Sequence, residues 1–375
     1  MRVSLRSVWA VILTGGLVQL ANGLQTDLLG VRAGIEQFSP FAIGLIMAGY
    51  YVGYSAGPLV SPFVIRALGH VRTIWFAVIV AAASIALHGY LVSPSAWALL
   101  RVISGLAISV NFVAVESWIN DRTENRVRGR VFAIYMVWQM TAMTIAQFLL
   151  TIGDPSTTSL FLLSAALFVV SAIPVLLLHR GGVLDAPPEP FSLLALFRLA
   201  PLGVLATILS GVSWAVVFTF GPVYAQREGF TLSQIGFFMG IAMVTGALVQ
   251  FPLGWVSDHI GRRFTIGLMC AAGVLASLFG IWAQNEGVVM LDIASALIGA
   301  LVFPLYGISV AHANDAVQPS QRVAAAAGLV LVFGLGSIAG PLATGWAVGA
   351  FGSVAYFWVL AAVMTASVTA AVATR

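Results

Sequence analysis

The sequence has no lysine, a single cysteine and very little charge of either sign. Only 8% of its 375 residues are charged, whereas soluble domains carry about 25%. Hydrophobic residues make up 60% of the chain, and the mean hydropathy is +1.01. A chain this apolar cannot fold with water as its main solvent. The composition therefore predicts an all-α polytopic membrane protein.

Several kinds of chemistry are missing as well. The lone Cys270 can form neither a disulfide within the chain nor a cysteine metal cluster. The sequence contains no nucleotide-binding loop, no HExxH pattern and no nucleophile elbow. We therefore expect no enzyme activity, no cofactor and no metal site. The net charge of +4 comes from arginines in short loops, a pattern typical of topology determinants rather than of nucleic-acid binding.

Long apolar runs, separated by turn residues, predict twelve transmembrane helices. Twelve spans with their loops leave about 31 residues for each, so no soluble domain fits. The first run is too long for a signal-peptide core, and we expect it to be retained. The predicted spans are residues 9–30, 40–64, 73–92, 96–119, 130–152, 159–178, 201–226, 232–256, 264–284, 288–312, 324–350 and 353–373.

The arginines are distributed unequally between the two sides of these spans. Fourteen fall on one side, only Arg32 and Arg227 fall on the other, and Arg101 lies within a span. The positive-inside rule then places both termini in the cytoplasm, for a protein of the cytoplasmic (inner) membrane. The fourteen are Arg2, Arg6, Arg66, Arg72, Arg122, Arg126, Arg128, Arg130, Arg180, Arg198, Arg262, Arg263, Arg322 and Arg375.

The chain divides into two similar halves. Residues 179–198 contain three prolines and two acids, a composition typical of a linker. We expect a six-helix bundle at 1–178, a cytoplasmic linker at 179–198 and a second six-helix bundle at 199–375. Gly69 recurs as Gly261, and Gly105 recurs as Gly299, at nearly the same offset. These matches predict a parallel, pseudo-symmetric repeat with a shared cavity between the halves.

The loop after predicted span eight carries the most specific motif. It reads Gly254-Trp-Val-Ser-Asp258-His-Ile-Gly261-Arg262-Arg263. Gly261 permits a tight turn and Gly254 a close helix contact, while the charged residues can pair across a bundle. This loop resembles the signature loop of the major facilitator superfamily, and with the twelve spans and the linker the resemblance covers the whole chain. It implies a transporter in which the loop acts as a conformational latch on the cytoplasmic side.

The first-half copy of this loop departs from the pattern, because Arg66 replaces the expected aspartate and Pro62 the first glycine. Glu116 is predicted to pair with nearby loop arginines or with Arg66 and Arg72, and a proton-carrying role is the alternative. The candidate cytoplasmic gate residues are Arg66, Gly69, Arg72, Glu116, Arg128, Arg130, Gly254, Asp258, Gly261, Arg262, Arg263 and Arg322.

Arg101 is the one arginine predicted within a span. In proton-coupled members of the family that the chain resembles, an arginine followed by a similar glycine pattern occurs in the same span. An intramembrane arginine costs at least about 2.5 kcal/mol, so we expect a partner or a water-filled cavity. Asp27 has a matching predicted depth, and we predict an Asp27–Arg101 ion pair that protonation or an anionic group could break. A static structural pair is the alternative.

Further polar and aromatic residues in the spans could line a cavity for a modest organic solute, although helix packing is the competing interpretation of each. The candidates for substrate cavity and coupling are Gln19, Asn22, Gln25, Asp27, Arg101, Asn111, Tyr135, Trp138, Gln139, Trp214 and Tyr306.

The sequence therefore predicts a monomeric secondary active transporter that moves a small organic solute by alternating access. Protons are the expected coupling ion, and sodium is an alternative. A passive facilitator is one alternative. A non-transporting sensor or assembly protein with the same fold is the other.

Overall fold

The computed structural model describes residues 5–123, 125–176, 193–318 and 321–374. Helices follow one another through these ranges with short connections. They are α1 (Leu5–Ile35), α2 (Pro40–Leu68), α3 (His70–His88), α4 (Pro94–Arg122), α5 (Asn125–Leu149), α6 (Ser159–Ser171), α7 (Ile173–Leu176), α8 (Leu193–Leu199), α9 (Pro201–Arg227), α10 (Leu232–Ile260), α11 (Arg262–Ala283), α12 (Val288–Asp315), α13 (Arg322–Phe351) and α14 (Ala355–Ala373). A 3-10 turn, Leu150–Ile152, follows α5.

Eleven of the described helices are long and apolar enough to cross a membrane. The twelfth span is shorter and runs over Ser159–Val175, which covers α6 and most of α7. Most of the predicted linker lies outside the described residues, and its last residues form α8. The predicted all-α fold with twelve transmembrane helices is confirmed.

Prolines and glycines mark where the helices begin and end. Pro94 and Pro201 occupy the first turns of α4 and α9, where a missing N–H costs nothing. The connection between α2 and α3 turns at Gly69, and that between α10 and α11 turns at Gly261. Both glycines have positive φ, 75° and 98°, a conformation that side chains with a Cβ rarely adopt. The matched glycines of the repeat therefore make matched turns.

Contacts divide the chain into two compact units. The first comprises Met1–Ile35 and Gly49–Pro187, and the second Glu36–Ala48 and Pro188–Arg375. The start of α2 belongs to the second unit because Gly44 lies against α13: a Cβ at Gly44 would be 2.6 Å from the Pro341 carbonyl oxygen.

Each unit contains a helix pair that glycine brings into backbone contact. In the first unit a Cβ at Gly105 of α4 would overlap the Tyr50 carbonyl of α2. In the second unit a Cβ at Gly299 of α12 would overlap the Ala242 carbonyl of α10. These pairs are related by the offsets of 192 and 194 positions that the sequence repeat shows. Small residues let membrane helices approach this closely, and the same contact in both units makes them pseudo-symmetric.

Glycines also bring α1 against α5 in the first unit. Gly16 lies against the Trp138 indole and Gly23 against Ala146. Further along, the Arg32 guanidinium donates to the Pro155 carbonyl at 2.9 Å. The residue numbers of the contacting pairs rise in the same direction along both segments, so α1 and α5 run parallel.

Candidate functional site

A buried polar cluster joins α1, α2 and α4 within the first unit. The Asn22 amide donates to the Tyr50 hydroxyl at 3.2 Å, and the Gln25 amide donates to the Ser104 hydroxyl at 3.4 Å. The Arg101 guanidinium lies over the Tyr50 ring, 4.4 Å from its centroid. The sequence predicts Asn22, Gln25 and Arg101 as site residues. Tyr50 contacts Asn22 and Arg101, and Gln25 contacts α4 through Ser104.

The predicted Asp27–Arg101 ion pair does not form. Arg101 is fully buried, and none of its guanidinium nitrogens has a hydrogen-bond partner among the described residues. The reason is rotation about the axis of α1. Successive helical residues turn by about 100°, so Asp27 points about 200° away from Gln25, the residue that contacts α4. Equal depth in the membrane did not place the two side chains on facing surfaces.

Asp27 instead lies near the face of α1 that meets α5. Gln19, Gly23 and Asp27 follow at four-residue steps. The Gln19 amide contacts the Met143 sulfur at 3.2 Å, and Gly23 lies against Ala146. Asp27 is 1% exposed, and neither carboxylate oxygen has a partner in the part of the chain that the structure describes. Burying an unpaired carboxylate is very costly, as is burying the unpaired Arg101 guanidinium of the same unit.

Asn111, further along α4 than Arg101, also lacks hydrogen-bond partners. It is 1% exposed, and both its amide nitrogen and its amide oxygen are unpaired within the described ranges. The Tyr51 hydroxyl on α2 is unpaired in the same sense. Buried polar atoms nearly always have a protein or water partner, so these groups identify places for water or solute.

The α5 candidates lie against α1 and α4. Tyr135 is fully buried, and its hydroxyl donates to Glu116 at 3.5 Å. Trp138 rests on Gly16, and its indole N–H donates to the Leu13 carbonyl at 3.4 Å. Gln139 is half-buried, and its amide oxygen has no partner among the residues described. Trp138 also lines a groove of about 520 Å³ between α1 and α5, with Arg130 at one end.

The described partner of Glu116 is Tyr135. Its predicted pairing with the loop arginines Arg126 and Arg128 stays a prediction, because their side chains lie outside the described residues. Arg66 and Arg72 are exposed, and neither forms an ion pair within the structure as described. Glu116 faces α5, whereas the next residue, Ser117, contacts His70 at the start of α3. The side chains of Arg128 and Arg322 lie outside the described residues.

In the second unit the two aromatic candidates meet through Phe333. The Trp214 ring lies 6.4 Å from the Phe333 ring, and the Tyr306 ring lies 4.6 Å from it. Phe218 and Phe303 complete the cluster around Trp214. The aromatic groups of α9, α12 and α13 thus form one cluster of contacting rings.

The loop between α10 and α11 forms the cross-bundle pairing that its sequence predicts. Arg262 pairs with Asp258 at 3.0 Å and also with Asp315, the last residue of α12. Arg263 donates to the Ala371 and Val372 carbonyls at 2.8 and 2.9 Å, at the end of α14. Both acids are more than half exposed, so each pair contributes at most about 1 kcal/mol. The loop therefore fixes the positions of three helix ends more than it adds stability.

One expectation about this loop is wrong. A Cβ at Gly254 would meet nothing within 4 Å among the described atoms, so this glycine does not mediate a close helix contact in its unit. The spacing alone could not show this, because a small residue is compatible with a close neighbour and with none.

Two groups of contact residues were not predicted from the sequence. Tyr50 carries both the Asn22 hydrogen bond and the Arg101 guanidinium. Gly15 and Gly16 form the notch on α1 that receives Tyr135 and Trp138. The adjacent glycines are visible in the sequence. The sequence of span two does not show which of the adjacent Tyr50 and Tyr51 makes these contacts.

A family model described as Major Facilitator Superfamily matches residues 8–311 and, in a second match, residues 204–374. The chain belongs to the major facilitator superfamily. Members of this family are transporters and not, in general, enzymes. As a facilitator, this chain is a multi-pass membrane protein that transports a solute.

Similar proteins include an uncharacterized MFS-type transporter, YcaD, from Escherichia coli (strain UTI89 / UPEC) and from Shigella sonnei (strain Ss046). Each is 27% identical over 327 residues, which is 87% of this chain and 84% of the relative. Two solved structures share the fold. The nucleoside transporter NupG has a TM-score of 0.79 at 17% identity, with 98% of each chain covered. A bacterial homolog to the human lysosomal transporter Spinster has a TM-score of 0.76 at 16% identity, with 98% of this chain and 94% of that chain covered.

Proposed function

We propose that this facilitator is a proton-coupled secondary active transporter of a small polar organic solute. The observation that carries the proposal is Asp27, a membrane-embedded acid without a partner among the described residues. A lone intramembrane acid is costly and is typical of proton relays in transporters. Taking up one proton removes the charge that burial penalises. Releasing it restores that charge, so the protonation state can favour one conformation over another.

Each unit offers groups for contact with a solute. Asn22, Gln25 and Arg101 offer hydrogen-bond groups, and Trp214 and Tyr306 offer rings. The groove on α1 and α5 adds Trp138 and an apolar wall. Such sites combine a mostly apolar lining with a few directed polar groups. One of the fold relatives is a nucleoside transporter, so nucleosides belong among the solutes to be tested.

We further propose that the protein is a monomer in the cytoplasmic membrane. The arginine distribution supports the placement of both termini in the cytoplasm. Residues 1–178 and 199–375 would move as the two halves of an alternating-access cycle, joined by the linker at 179–198. The loop at Gly254–Arg263 would act as the cytoplasmic latch.

Transport by proteoliposomes that contain a trapped pH-sensitive dye tests this function. Thermal-shift screening of metabolites and nucleosides with the purified protein first selects solutes that bind. We expect one such solute to acidify or alkalinise the lumen as it moves, and an imposed pH gradient to drive its accumulation. Asp27→Asn should remove the gradient dependence while the solute still binds.

The same assay separates the alternatives. Solute movement without accumulation under any pH gradient would make the protein a passive facilitator. Binding without movement of any solute, together with a co-purifying protein, would make it a sensor or assembly protein. Gradient dependence that survives Asp27→Asn would remove Asp27 from the coupling step.

A further inference from the structure

An open groove of about 520 Å³ separates the first halves of α1 and α5. Its α1 wall extends from Trp9 to Leu13, and its α5 wall extends from Arg130 to Thr141. Apart from Arg130 and Thr141, the residues that line it are aliphatic or aromatic. The groove is therefore an apolar surface with a cation at one end.

This groove lies on the side of α1 that faces away from the buried polar cluster. Successive residues of a helix turn by about 100°, so Leu13 points about 180° away from Asn22, which contacts Tyr50. The walls are also open to the surroundings, because Trp9 is 54% exposed and Val137 is 67% exposed. The groove thus faces what surrounds the first unit and not the polar groups inside it.

The polar groups along the α5 wall are already engaged, except at the cationic end. The Trp138 indole N–H donates to the Leu13 carbonyl, and the Thr141 hydroxyl donates to the Val137 carbonyl. The Arg130 guanidinium is exposed and pairs with no acid among the described side chains. A hydroxyl-rich molecule would find few partners here, whereas a hydrocarbon chain with an anionic end needs only this arrangement.

The length of the groove matches one leaflet of a bilayer. Arg130 and Thr141 are eleven residues apart, which corresponds to about 16 Å of helix. Half of a hydrocarbon core of about 30 Å is about 15 Å. Val8 and Arg130 are the first residues of their apolar spans, so Trp9 and Arg130 lie together at one membrane surface. Tryptophan and arginine are typical anchors at that level, and the arginine distribution places this end on the cytoplasmic side.

We propose that this groove binds one anionic phospholipid of the cytoplasmic leaflet, with its phosphate at Arg130 and one acyl chain along the apolar walls. The phosphate accepts charge-assisted hydrogen bonds from the guanidinium. The chain contacts α1 and α5 together, which a chain elsewhere in the bilayer does not. This inference goes beyond the proposed function, because it gives the groove to a lipid and leaves the polar groups of α1, α2 and α4 to the solute.

Native mass spectrometry of the purified full-length protein, titrated with phosphatidylglycerol and with phosphatidylethanolamine, tests the site. We expect the first phosphatidylglycerol to bind more tightly than phosphatidylethanolamine. In Arg130→Gln its affinity should fall about fivefold, the effect of one arginine near an anionic lipid. Arg198→Gln removes another exposed arginine, on α8, and is the matched control that should leave the affinity unchanged.

A second pair of variants tests the position of the acyl chain. Ala133→Phe places a ring in the groove while Arg130 stays in place, so tight binding of phosphatidylglycerol should be lost. Met140→Phe places the same ring on an exposed part of α5 outside the groove and should bind like the wild type. Phosphatidylglycerol with a photoreactive group in one acyl chain should label α1 and α5 in the wild type and not in Ala133→Phe.

Three results would overturn the proposal. Equal affinity of the wild type, Arg130→Gln and Ala133→Phe for phosphatidylglycerol would remove the site. Equal affinity of the wild type for the two phospholipids would remove its preference for an anion. Displacement of the bound lipid by the transported solute would assign the groove to that solute. None of these results depends on proton coupling, which Asp27→Asn tests separately.

Discussion

At the scale of single residues, Arg101 is costly to place in the membrane, and its described contacts recover only part of that free energy. Its insertion costs at least about 2.5 kcal/mol, and the contact with Tyr50 returns about 0.5–2 kcal/mol. Replacing a buried ion pair by apolar side chains is often neutral for stability, and removing Arg101 leaves no described ionic partner unpaired. We therefore expect Arg101→Met to change the free energy of unfolding by less than about 1 kcal/mol while transport is lost. Thermal unfolding and uptake measure the two effects.

The control for this substitution is Ile103→Met, because Ile103 lies on the exposed side of the same helix. It should leave both stability and uptake near the wild-type values. Strong destabilisation by Arg101→Met would instead mean that the guanidinium holds the fold together, and its role in transport would lose its support.

At the scale of helices, glycine contacts set how closely the spans pack. A Cβ at Gly299 meets backbone atoms of Ala242, which cannot rotate away, so α10 and α12 must separate. A Cβ at Gly307, two turns along α12, meets nothing within 4 Å among the described atoms. We expect Gly299→Ala to cost about 1–3 kcal/mol, and Gly307→Ala to be neutral or to stabilise by up to about 1 kcal/mol. Thermal unfolding of the two variants decides, and equal effects would contradict the backbone contact.

The helices also show what the sequence could predict. Spans were predictable because hydropathy is summed over about 20 residues, so a local error changes little. The pairing of Arg262 with acids was predictable in kind because the motif confines its partners to one loop and the neighbouring helix ends. The prediction of an Asp27–Arg101 pair was wrong because depth in the membrane changes slowly along a helix. The direction of the side chain around the helix axis turns by about 100° per residue. Tyr50 was missed because its role exists only after α1, α2 and α4 meet.

At the scale of the whole molecule, topology depends on the shortest span. The apolar helix Ser159–Val175 has 17 residues, about 26 Å of helix, against a hydrocarbon core of about 30 Å. If this segment did not cross the membrane, the arginines of the second half would lie outside, against the positive-inside rule. We therefore expect it to cross. A fluorescent protein that matures only in the cytoplasm should be active at the C-terminus, and alkaline phosphatase should be active when inserted after Gly153. A dark C-terminal reporter beside an active phosphatase would leave eleven spans and reverse the orientation of the entire second half.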